Sequence, residues 1–331
     1  LGGLHAYETV MHTGIEYVSF IALVGSLYVV SGGIHIKVKG EATPFNNVLF
    51  LLFGAVIANV LGTTGASMLL IRPWIRMNKY RITAHHIVFF IFIVSNVGGC
   101  LTPIGDPPLF LGFLKGIPFW WVLEHCWPMW LVGIGVLLTM FYVVDSINYR
   151  KAPKEVREEM AEPPDQWQFD GLINLVFLGV ILVAVFISKP LFLREALMLG
   201  AACGSYFLTQ RSIHEANHFN FHPIQEVAIL FVGIFSTMMP ALDWLKANAS
   251  SMEQTTPGIF YWGTGILSGV LDNAPTYLSF LSATVGKFAK PELLAQSSGI
   301  EAGAVTEAAQ IQYLLATPEL MQYVVAISVA A

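Results

Sequence analysis

Charge is scarce in this sequence of 331 residues, and this scarcity limits what the protein can be. Only 12% of the residues are charged and 55% are hydrophobic, whereas soluble domains carry about 25% charged residues. The balance of 22 acidic and 17 basic side chains says little about partners, because the basic residues are segregated along the chain. We expect the lipid bilayer and a small ion or anionic substrate as partners, and no nucleic acid. The composition excludes an ordinary soluble domain and predicts a protein embedded in the lipid bilayer.

Cysteine is also rare. The three cysteines, Cys100, Cys126 and Cys203, each lie within an apolar run and lack the paired spacing of disulfides or metal sites. We interpret them as small core residues and expect no disulfide and no cofactor. The sequence has no initiator methionine and no signal peptide, and it stops inside an apolar helix. We therefore expect it to be a fragment of a longer chain.

Several apolar runs approach the roughly 20 residues with which a helix crosses a bilayer. They predict an all-α, polytopic membrane protein. A polar and highly charged stretch separates two halves, which we place at 1–144 and 171–331 with a cytoplasmic linker at 145–170. The predicted membrane segments are 15–30, 47–71, 86–119, 128–144, 172–187, 191–208, 223–240, 259–285 and 321 onward.

The basic residues indicate how the chain is oriented. Most of them fall on one side of the membrane, and by the positive-inside rule that side is cytoplasmic. We therefore predict a multi-pass protein of the inner (plasma) membrane with Arg- and Lys-rich loops in the cytoplasm. The cytoplasmic set comprises Lys37, Lys39, Arg72, Arg76, Lys79, Arg81, Arg150, Lys151, Lys154, Arg157 and Arg211.

Segment 47–71 is predicted to enter the membrane and return on the same side. Lys39 precedes it and Arg72 follows it, so both of its ends are cytoplasmic. At 1.5 Å per residue, about 25 residues cannot cross a bilayer of about 30 Å twice. A re-entrant hairpin of two half-helices fits, with its tip at 62–65, where glycines permit a turn. The alternative is a single spanning helix.

Segment 86–119 is predicted to be a discontinuous helix. Pro103, Pro107 and Pro108 lie close together in it, and each removes a backbone donor and clashes with the preceding turn. Unwound backbone at membrane depth is tolerated only where protein or a water-filled cavity satisfies it. Asp106 lies in this gap, and an intramembrane carboxylate is by default a functional group.

The second half repeats the pattern. Segment 259–285 is a second predicted re-entrant hairpin, interrupted at its centre by Asp272, Asn273 and Pro275. Residues 324–331 resemble the start of the first broken helix, so a second broken helix would be cut off by the end of the sequence. Interrupted segments in matching positions indicate two inverted repeats of a secondary transporter. The alternative is that Asp272 and Asn273 only cap a helix.

Three motifs carry a resemblance to a known family. They are GTTGASMLLIRP at 62–73, SNVGGCLTPIGDPP at 95–108 and LDNAPTYL at 271–278. In order and spacing, over nearly the whole chain, they resemble the ion transporter superfamily. This group includes NhaD-type sodium/proton antiporters, arsenite permeases, citrate transporters and divalent-anion/sodium symporters. The resemblance is greatest to a branch described variously as sodium:proton antiporters or citrate transporters, and it implies a homodimer with scaffold and transport domains.

The resemblance also implies two sites, each between a hairpin tip and a broken helix. Unwound carbonyls, hydroxyls and a carboxylate would supply the oxygen ligands that a hard cation requires. We expect Na⁺ as the transported or coupling ion, bound by Asp106 and Asp272. The candidate ion- or substrate-binding residues are Thr63, Thr64, Gly65, Ser95, Asn96, Thr102, Gly105, Asp106, Asp272, Asn273 and Thr276, with Pro103, Pro107, Pro108 and Pro275 as structural helix breaks.

These residues predict a secondary active transporter and not an enzyme. Sodium/proton antiport is the first hypothesis, because a buried carboxylate that binds Na⁺ and H⁺ in turn is the simplest antiport mechanism. Sodium- or proton-coupled transport of citrate, a dicarboxylate or an arsenite-like anion is the second, since half-helix N-termini suit an anion. A passive channel is a further alternative. An intramembrane aspartyl protease is disfavoured, because Pro103 stands where its Gly-x-Gly-Asp motif has the first glycine.

Two other patterns have simpler interpretations. His214, His218 and His222 recur every fourth residue, but the segment lacks a helical pattern, so a shared metal is disfavoured. Tryptophans near segment ends, Trp130 among them, are typical of the aromatic belt at the membrane interface.

Overall fold

Helices make up almost all of the regular structure. The computed structural model describes residues 2–37, 43–151, 168–187, 189–252, 255–298 and 305–331. The predicted all-α class is confirmed. Within these ranges the helices are α1 (Gly2–Gly32), α2 (Pro44–Met77), α3 (Ala84–Phe90), α4 (Pro107–Lys115), α5 (Trp121–Lys151), α6 (Asn174–Ala184), α7 (Leu193–Leu208), α8 (Arg211–Ala216), α9 (His222–Asn248), α10 (Pro257–Ser268), α11 (Asn273–Phe288), α12 (Pro291–Ser298), α13 (Glu307–Ala316) and α14 (Pro318–Ala330).

A short antiparallel pair of strands joins the two halves of the chain. β1 (His35–Lys37) follows α1, and β2 (Gln168–Asp170) precedes α6. In the register of the pair, His35 lies opposite Asp170. The end of the predicted linker therefore returns to the first half, whereas its central part, 152–167, lies outside the described residues. The division into two inverted repeats stays a prediction.

Among the residues that the structure describes, four helices are long and apolar enough to cross a bilayer: Tyr7–Gly32, Pro44–Met77, Trp121–Lys151 and His222–Ser251. The bent pair α13 and α14, with an angle of 107° between its arms, is a fifth candidate. In the most apolar parts of α5 and α9, only 22% and 17% of the residues are buried within the chain. The remaining apolar surface suits lipid, and the chain is a polytopic membrane protein, as predicted.

α2 is not a straight span, because its chain turns back at Gly62. Gly62 has φ 74° and ψ 154°, and the arms on either side of it pair with each other. The Asn47 side chain donates to that of Asn78 at 2.8 Å, and Phe50 stacks on Trp74 with ring centroids 5.6 Å apart. The arms are therefore antiparallel and the ends of α2 lie together, in the hairpin geometry that the sequence predicts.

The next segment is interrupted where its prolines predict. α3 continues into a π-helical turn, Ile91–Asn96, and a 3-10 turn, Val97–Gly99. The backbone is irregular over 100–106, and α4 begins at Pro107. Proline suits the start of a helix because its missing N–H has no helical partner there. Pro107 and Pro108 thus start the second half-helix, and Pro103 lies in the irregular stretch.

α5 is longer than the sequence predicts. It continues to Lys151 and takes in 145–151, which the charge pattern assigns to the linker. Asp145 is fully buried, and its carboxylate binds Arg81 and Asn47 at 3.0 Å each. A neutralised acid can remain inside a helix, so α5 covers the first part of the predicted linker, whose bounds stay a prediction. α9 likewise continues through Pro240, its predicted end, to Asn248.

α10 and α11 form the second hairpin, at the position predicted for 259–285. The ring of Phe260 lies 5.4 Å from that of Phe280, and Gly263 lies against the same ring. The two arms are therefore antiparallel around the non-helical stretch 269–272. Pro275 lies in the first turn of α11, where a missing N–H is tolerated. Pro275 thus lies at the start of the helix that follows the break, as Pro107 and Pro108 do, and its role as a helix break stays a prediction.

Candidate ion-binding site

Asp106 lies where three interrupted segments meet. At the tip of the first hairpin, Thr63 donates its backbone N–H to the carbonyl of Gly105 at 3.1 Å. From the second hairpin, Asn273 and Asp272 at the start of α11 lie close enough to act electrostatically on the Asp106 carboxylate, and Asp272 itself is exposed. The structure therefore brings the first predicted site and part of the second together at one carboxylate.

Glycine allows the first hairpin and the break to approach closely. A Cβ atom at Gly62 would lie 3.2 Å from the Ile104 carbonyl oxygen, and the positive φ of Gly62 is one that other residues rarely adopt. A Cβ atom at Gly105 would lie only 2.0 Å from the Gly99 carbonyl oxygen. A larger residue at Gly62 would push the tip away from the break, and one at Gly105 would disrupt the close return of the break onto Gly99.

Two prolines free backbone oxygens next to Asp106. In a continuous helix, the carbonyl of one residue accepts from the N–H four residues later. Pro107 and Pro108 have no N–H, so the carbonyls of Pro103 and Ile104 lack a helical donor. No described residue donates to these two oxygens instead. Together with the Asp106 carboxylate, they are ligands of the type that a hard cation binds.

Asp106 itself is buried, with 7% of its surface exposed. It occupies the N-cap position of α4 but makes no capping hydrogen bond with its side chain. The Cys100 thiol lies 4.0 Å from its Oδ2 atom, and no described residue forms an ion pair with it. A buried carboxylate without a basic partner is costly, so a bound cation or proton would stabilise it.

A cavity of about 30 Å³ lies between the hairpin tip and the break. The hairpin contributes Thr63, Thr64 and Gly65 to its lining, and the break contributes Gly105 and Asp106. Apolar side chains of α1 close the remaining side, and none of the described lining residues is Lys, Arg or His. The volume is about that of one water molecule. The cavity therefore suits a small ion.

Other predicted ligands lie outside this cavity. Thr102 donates its hydroxyl to the Asn59 carbonyl at 2.6 Å, and Ser95 accepts a hydrogen bond of 2.7 Å from Ser67. Asn96 lies at the end of the π-helical turn. All three contribute to the path of the broken helix, and direct ion contact by any of them stays a prediction.

The tip of the second hairpin presents two of its three predicted residues toward Asp106. Asp272 is exposed and occupies the N-cap position of α11, where its side chain makes no capping hydrogen bond. Thr276 instead donates its hydroxyl to the Asp272 carbonyl at 3.0 Å, within its own helix. Direct ion contact by Thr276 also stays a prediction.

Sequence reasoning missed two residues that bind the break. Asn59, on the first arm of α2, donates to the Gly98 carbonyl at 2.7 Å. Trp130, on α5, donates its indole N–H to the Val97 carbonyl at 2.9 Å, a contact that its assignment to the interfacial belt does not predict. An asparagine inside an apolar helix was an available signal for the first. For Trp130, a position near a segment end gives no such signal, because it also fits the belt.

One group of described residues away from this site has the ligand types and spacing of a metal centre. His85 and His86 place Nε2 atoms 3.3 Å and 3.1 Å from Oδ1 of Asp145. Arg81, however, binds the same carboxylate and lies 3.5 Å from Nε2 of His86. The guanidinium occupies the position that a metal ion would take. The group is therefore an internal ion-pair network at the base of the first hairpin.

The three regularly spaced histidines form no such group in the parts of the chain that the structure describes. His214 lies in α8, His222 starts α9, and His218 between them has a positive φ of 43°. The helical spacing that would align them is therefore interrupted.

A second cavity, of about 290 Å³, opens at the far end of α4; we call it the vestibule. Lys115, in the last turn of α4, lies 3.2 Å from both Glu16 and Glu307. Lys246 lies 3.5 Å from Glu307, so ion pairs link α1, α4, α9 and α13. With Glu8 and Asp243, the described lining has four carboxylates against two lysines and His12, an excess of acidic groups that attracts cations.

Aromatic rings separate the vestibule from the ion cavity. Phe235 lines the vestibule, whereas Phe20 and Phe110 line the ion cavity. The ring of Phe20 lies 6.2 Å from that of Phe235 and 6.5 Å from that of Phe110. Aromatic side chains in contact with one another therefore lie between the two cavities.

Comparison with known proteins finds relatives that are named transporters. Two curated relatives, each named an uncharacterized transporter, come from Mycobacterium tuberculosis strains CDC 1551 / Oshkosh and ATCC 25618 / H37Rv. Each is 26% identical over 294 residues, with 83% of this chain and 64% of the relative covered. The chain thus spans 64% of the length of these relatives.

No solved structure matches the chain. One protein family matches it over residues 1–331, and this family is described as "Putative citrate transport". Because the match covers the whole sequence, the chain belongs to that family of membrane transport proteins.

Proposed function

We propose that the protein is a sodium/proton antiporter in which Asp106 binds Na⁺ and H⁺ in turn. The observation that carries the proposal is the cavity of about 30 Å³ at Asp106, beside the freed carbonyls of Pro103 and Ile104. Carboxylate, carbonyl and hydroxyl oxygens make the shell that a hard cation prefers. Since no basic side chain is found among its described lining residues, the negative charge of the cavity favours a cation over an anion.

Competition for one carboxylate couples the two ions. Na⁺ and H⁺ each neutralise Asp106, and only one of them can do so at a time. An unpaired charge is costly at membrane depth, so Asp106 carries one of the two cations whenever the cavity is closed to water. If the cavity can change the side to which it opens only when Asp106 carries Na⁺ or H⁺, inward movement of one ion drives outward movement of the other.

Asp272 strengthens this argument. Its negative charge acts on Asp106, and like charges near each other repel. One cation near both would relieve that repulsion. The arrangement supports the hypothesis that Asp106 and Asp272 share the transported charge.

Citrate or another small carboxylate is the second candidate, because the family is described by citrate transport. The N-termini of α4 and α11 come together near Asp106, and helix N-termini suit an anion. Citrate is larger than the cavity of about 30 Å³, and bound Na⁺ would have to offset the two aspartates. Citrate transport therefore requires a wider conformation than the one described.

The test uses the full-length protein in proteoliposomes with imposed Na⁺ and pH gradients, with and without citrate. Asp106→Asn and Asp272→Asn remove a charge with little change in shape. Glu226→Gln is the matched control, because Glu226 is exposed at the start of α9 and lines neither cavity. Antiport predicts Na⁺-driven proton movement without citrate, which Asp106→Asn abolishes and Glu226→Gln retains.

Other outcomes would change the assignment. Proton or sodium movement that occurs only with citrate would assign symport to the protein. Undiminished sodium-dependent exchange in both Asp106→Asn and Asp272→Asn would refute the role of the aspartates. A linear, non-saturating sodium flux without proton movement would assign a channel.

Location and assembly belong to the same proposal. We infer the plasma (inner) membrane, with the base of the first hairpin on the cytoplasmic side, where Arg76 and Lys79 are exposed. Maleimide labelling of a cysteine introduced at Lys79, in intact cells and in inverted vesicles, tests this orientation. The homodimer implied by the family resemblance is tested by the mass of the purified protein in detergent.

A further inference from the structure

Asn59 is a polar residue within the apolar first arm of α2, one turn before Gly62. Both ends of its carboxamide bind the backbone of the neighbouring broken helix. The Oδ1 atom accepts from the Leu101 N–H at 3.0 Å, and the Nδ2 group donates to the Gly98 carbonyl at 2.7 Å. A second hydrogen bond of Nδ2, to the Ala55 carbonyl at 3.1 Å, fixes the side chain on its own helix.

These contacts replace hydrogen bonds that the break removes. In a continuous helix, Leu101 would donate to the carbonyl four residues earlier, but the backbone leaves helical geometry after Gly99. A buried backbone group without a partner is costly, and the Asn59 carboxamide supplies both a donor and an acceptor. The path of the chain through the break therefore depends on this side chain.

A series of hydrogen bonds connects Asn59 to the ion cavity. The backbone carbonyl of Asn59 accepts from the Thr102 hydroxyl at 2.6 Å, and that hydroxyl in turn accepts from the Gly105 N–H at 3.1 Å. Gly105 then accepts from Thr63 at the hairpin tip at 3.1 Å. The residues between Thr102 and Gly105 are Pro103 and Ile104, which provide the freed carbonyls.

Trp130 supplies a second, independent donor to the same part of the break. Its indole N–H lies 3.1 Å from the Gly98 carbonyl oxygen and 2.9 Å from that of Val97. Asn59 and Trp130 thus bind one carbonyl, that of Gly98, from two helices, α2 and α5. Their contributions should be coupled, because each holds the same group in place.

We propose that Asn59 is a positioning residue for ion binding: it holds the break so that the Pro103 and Ile104 carbonyls and the Asp106 carboxylate face one cavity. This inference rests on the proposed function for the identity of the ion. The geometry of the break is a separate matter and can be measured without transport. Cys100, in the break and beside Asp106, provides a native reporter of that geometry.

The experiment compares full-length wild-type protein with Asn59→Ala, Asn59→Gln and Asn148→Ala in proteoliposomes. Asn148 is the matched control, because its side chain also donates to a backbone carbonyl, that of Arg81 at 3.2 Å, away from the ion cavity. Two quantities are measured: the sodium dependence of exchange and the rate at which N-ethylmaleimide modifies Cys100. Peptide mass spectrometry separates Cys100 from the exposed Cys203, which serves as an internal control.

For Asn59→Ala, we expect the half-saturating sodium concentration to rise about tenfold, with the maximal rate within about twofold, since two hydrogen bonds of ordinary strength to the break are lost. Cys100 labelling should accelerate by a similar factor while Cys203 labelling stays unchanged. Asn59→Gln, which keeps both the donor and the acceptor, should recover part of both effects. Asn148→Ala should match wild type in both measurements.

Cys100 labelling and sodium half-saturation that both stay within about twofold of wild type in Asn59→Ala would overturn the inference. If that variant fails to fold, Trp130→Phe removes one N–H donor from the same carbonyl and keeps an aromatic ring, and the same two outcomes apply. If wild-type protein shows no sodium-dependent exchange, the proposed function fails. Cys100 labelling then still decides whether Asn59 holds the break.

Discussion

Asn47 and Asn78, 31 residues apart in sequence, exchange hydrogen bonds of 2.8 Å and 3.1 Å across the base of the first hairpin. The Nδ2 group of Asn47 also lies 3.0 Å from the Asp145 carboxylate on α5. One side chain thus joins both arms of the hairpin to a long membrane helix. These contacts fix the base of the hairpin, at the opposite end of the arms from the tip that lines the ion cavity.

Asn47→Ala should lower the stability of the protein by about 2–3 kcal/mol. It removes a hydrogen bond to a charged group and leaves the buried Asn78 side chain without its partner. The measurement is the melting temperature in detergent. Asn46→Ala is the matched control, because Asn46 is exposed and adjacent, and it should melt within a degree or two of wild type. Equal losses in the two variants would contradict a specific role for Asn47.

Arg81→Met should be more damaging than the double variant Arg81→Met/Asp145→Asn. Asp145 is fully buried and paired with Arg81, and removal of one partner from a buried pair leaves an uncompensated charge that costs about 3–5 kcal/mol. Removal of both charges should restore part of that loss. Thermal unfolding of the two variants in detergent checks this order, and a double variant less stable than Arg81→Met would refute it.

Gly62→Ala should weaken ion binding and also destabilise the fold. The φ of 74° and ψ of 154° at Gly62 lie in a region that is essentially restricted to glycine, and strain of this kind costs about 1–3 kcal/mol. A Cβ atom there would also press against the Ile104 carbonyl, which we assign to the ion. The measurements are the half-saturating sodium concentration and the melting temperature.

The control for Gly62 is Gly14→Ala. Gly14 lies within α1, and a Cβ atom there would meet nothing within 4 Å. Alanine at a helical position should stabilise the protein by up to about 1 kcal/mol. A loss of stability in Gly14→Ala comparable to that in Gly62→Ala would show that the strain at the hairpin tip is not the cause.

Lys115→Met should loosen the contacts of α4 with α1 and α13. The Lys115 and Glu16 side chains are each 11% exposed, whereas Glu307 is 31% exposed. We expect a loss of about 2 kcal/mol, below that of a fully buried pair, because solvent screens Glu307. The measurement is thermal unfolding in detergent. Lys189→Met, at an exposed position, is the control, and an equal effect there would contradict the role of the ion pairs.

The interruptions of the membrane segments were predictable because glycine and proline act locally. Gly62 permits a backbone conformation that other residues avoid, and Pro107 and Pro108 remove N–H groups wherever they stand. The hairpin tip, the break and Asp106 therefore follow from the order of a few residues. The motifs that carry the family resemblance include the same glycines and prolines, which agrees with this local origin.

Contacts between segments distant in sequence could not be predicted in the same way. Asp145 follows an apolar run and precedes a charged one. A helix that ends at the membrane surface shows the same pattern. The burial of Asp145 depends on Arg81 and Asn47, which only the folded chain brings to it. Trp130 is a similar case, because its hydrogen bond to the broken helix follows from the packing of α5 and not from its own neighbours.

The β1–β2 ladder provides noncovalent contacts between the two halves of the chain, in addition to their covalent connection. His35 pairs with Asp170, and Asn174 adds a hydrogen bond of 2.8 Å to the Gly33 carbonyl. A gene divided at a codon between 152 and 167 should therefore yield two polypeptides that copurify through a tag on one of them. Asn174→Ala removes one contact between the two halves and should reduce the amount of untagged fragment recovered.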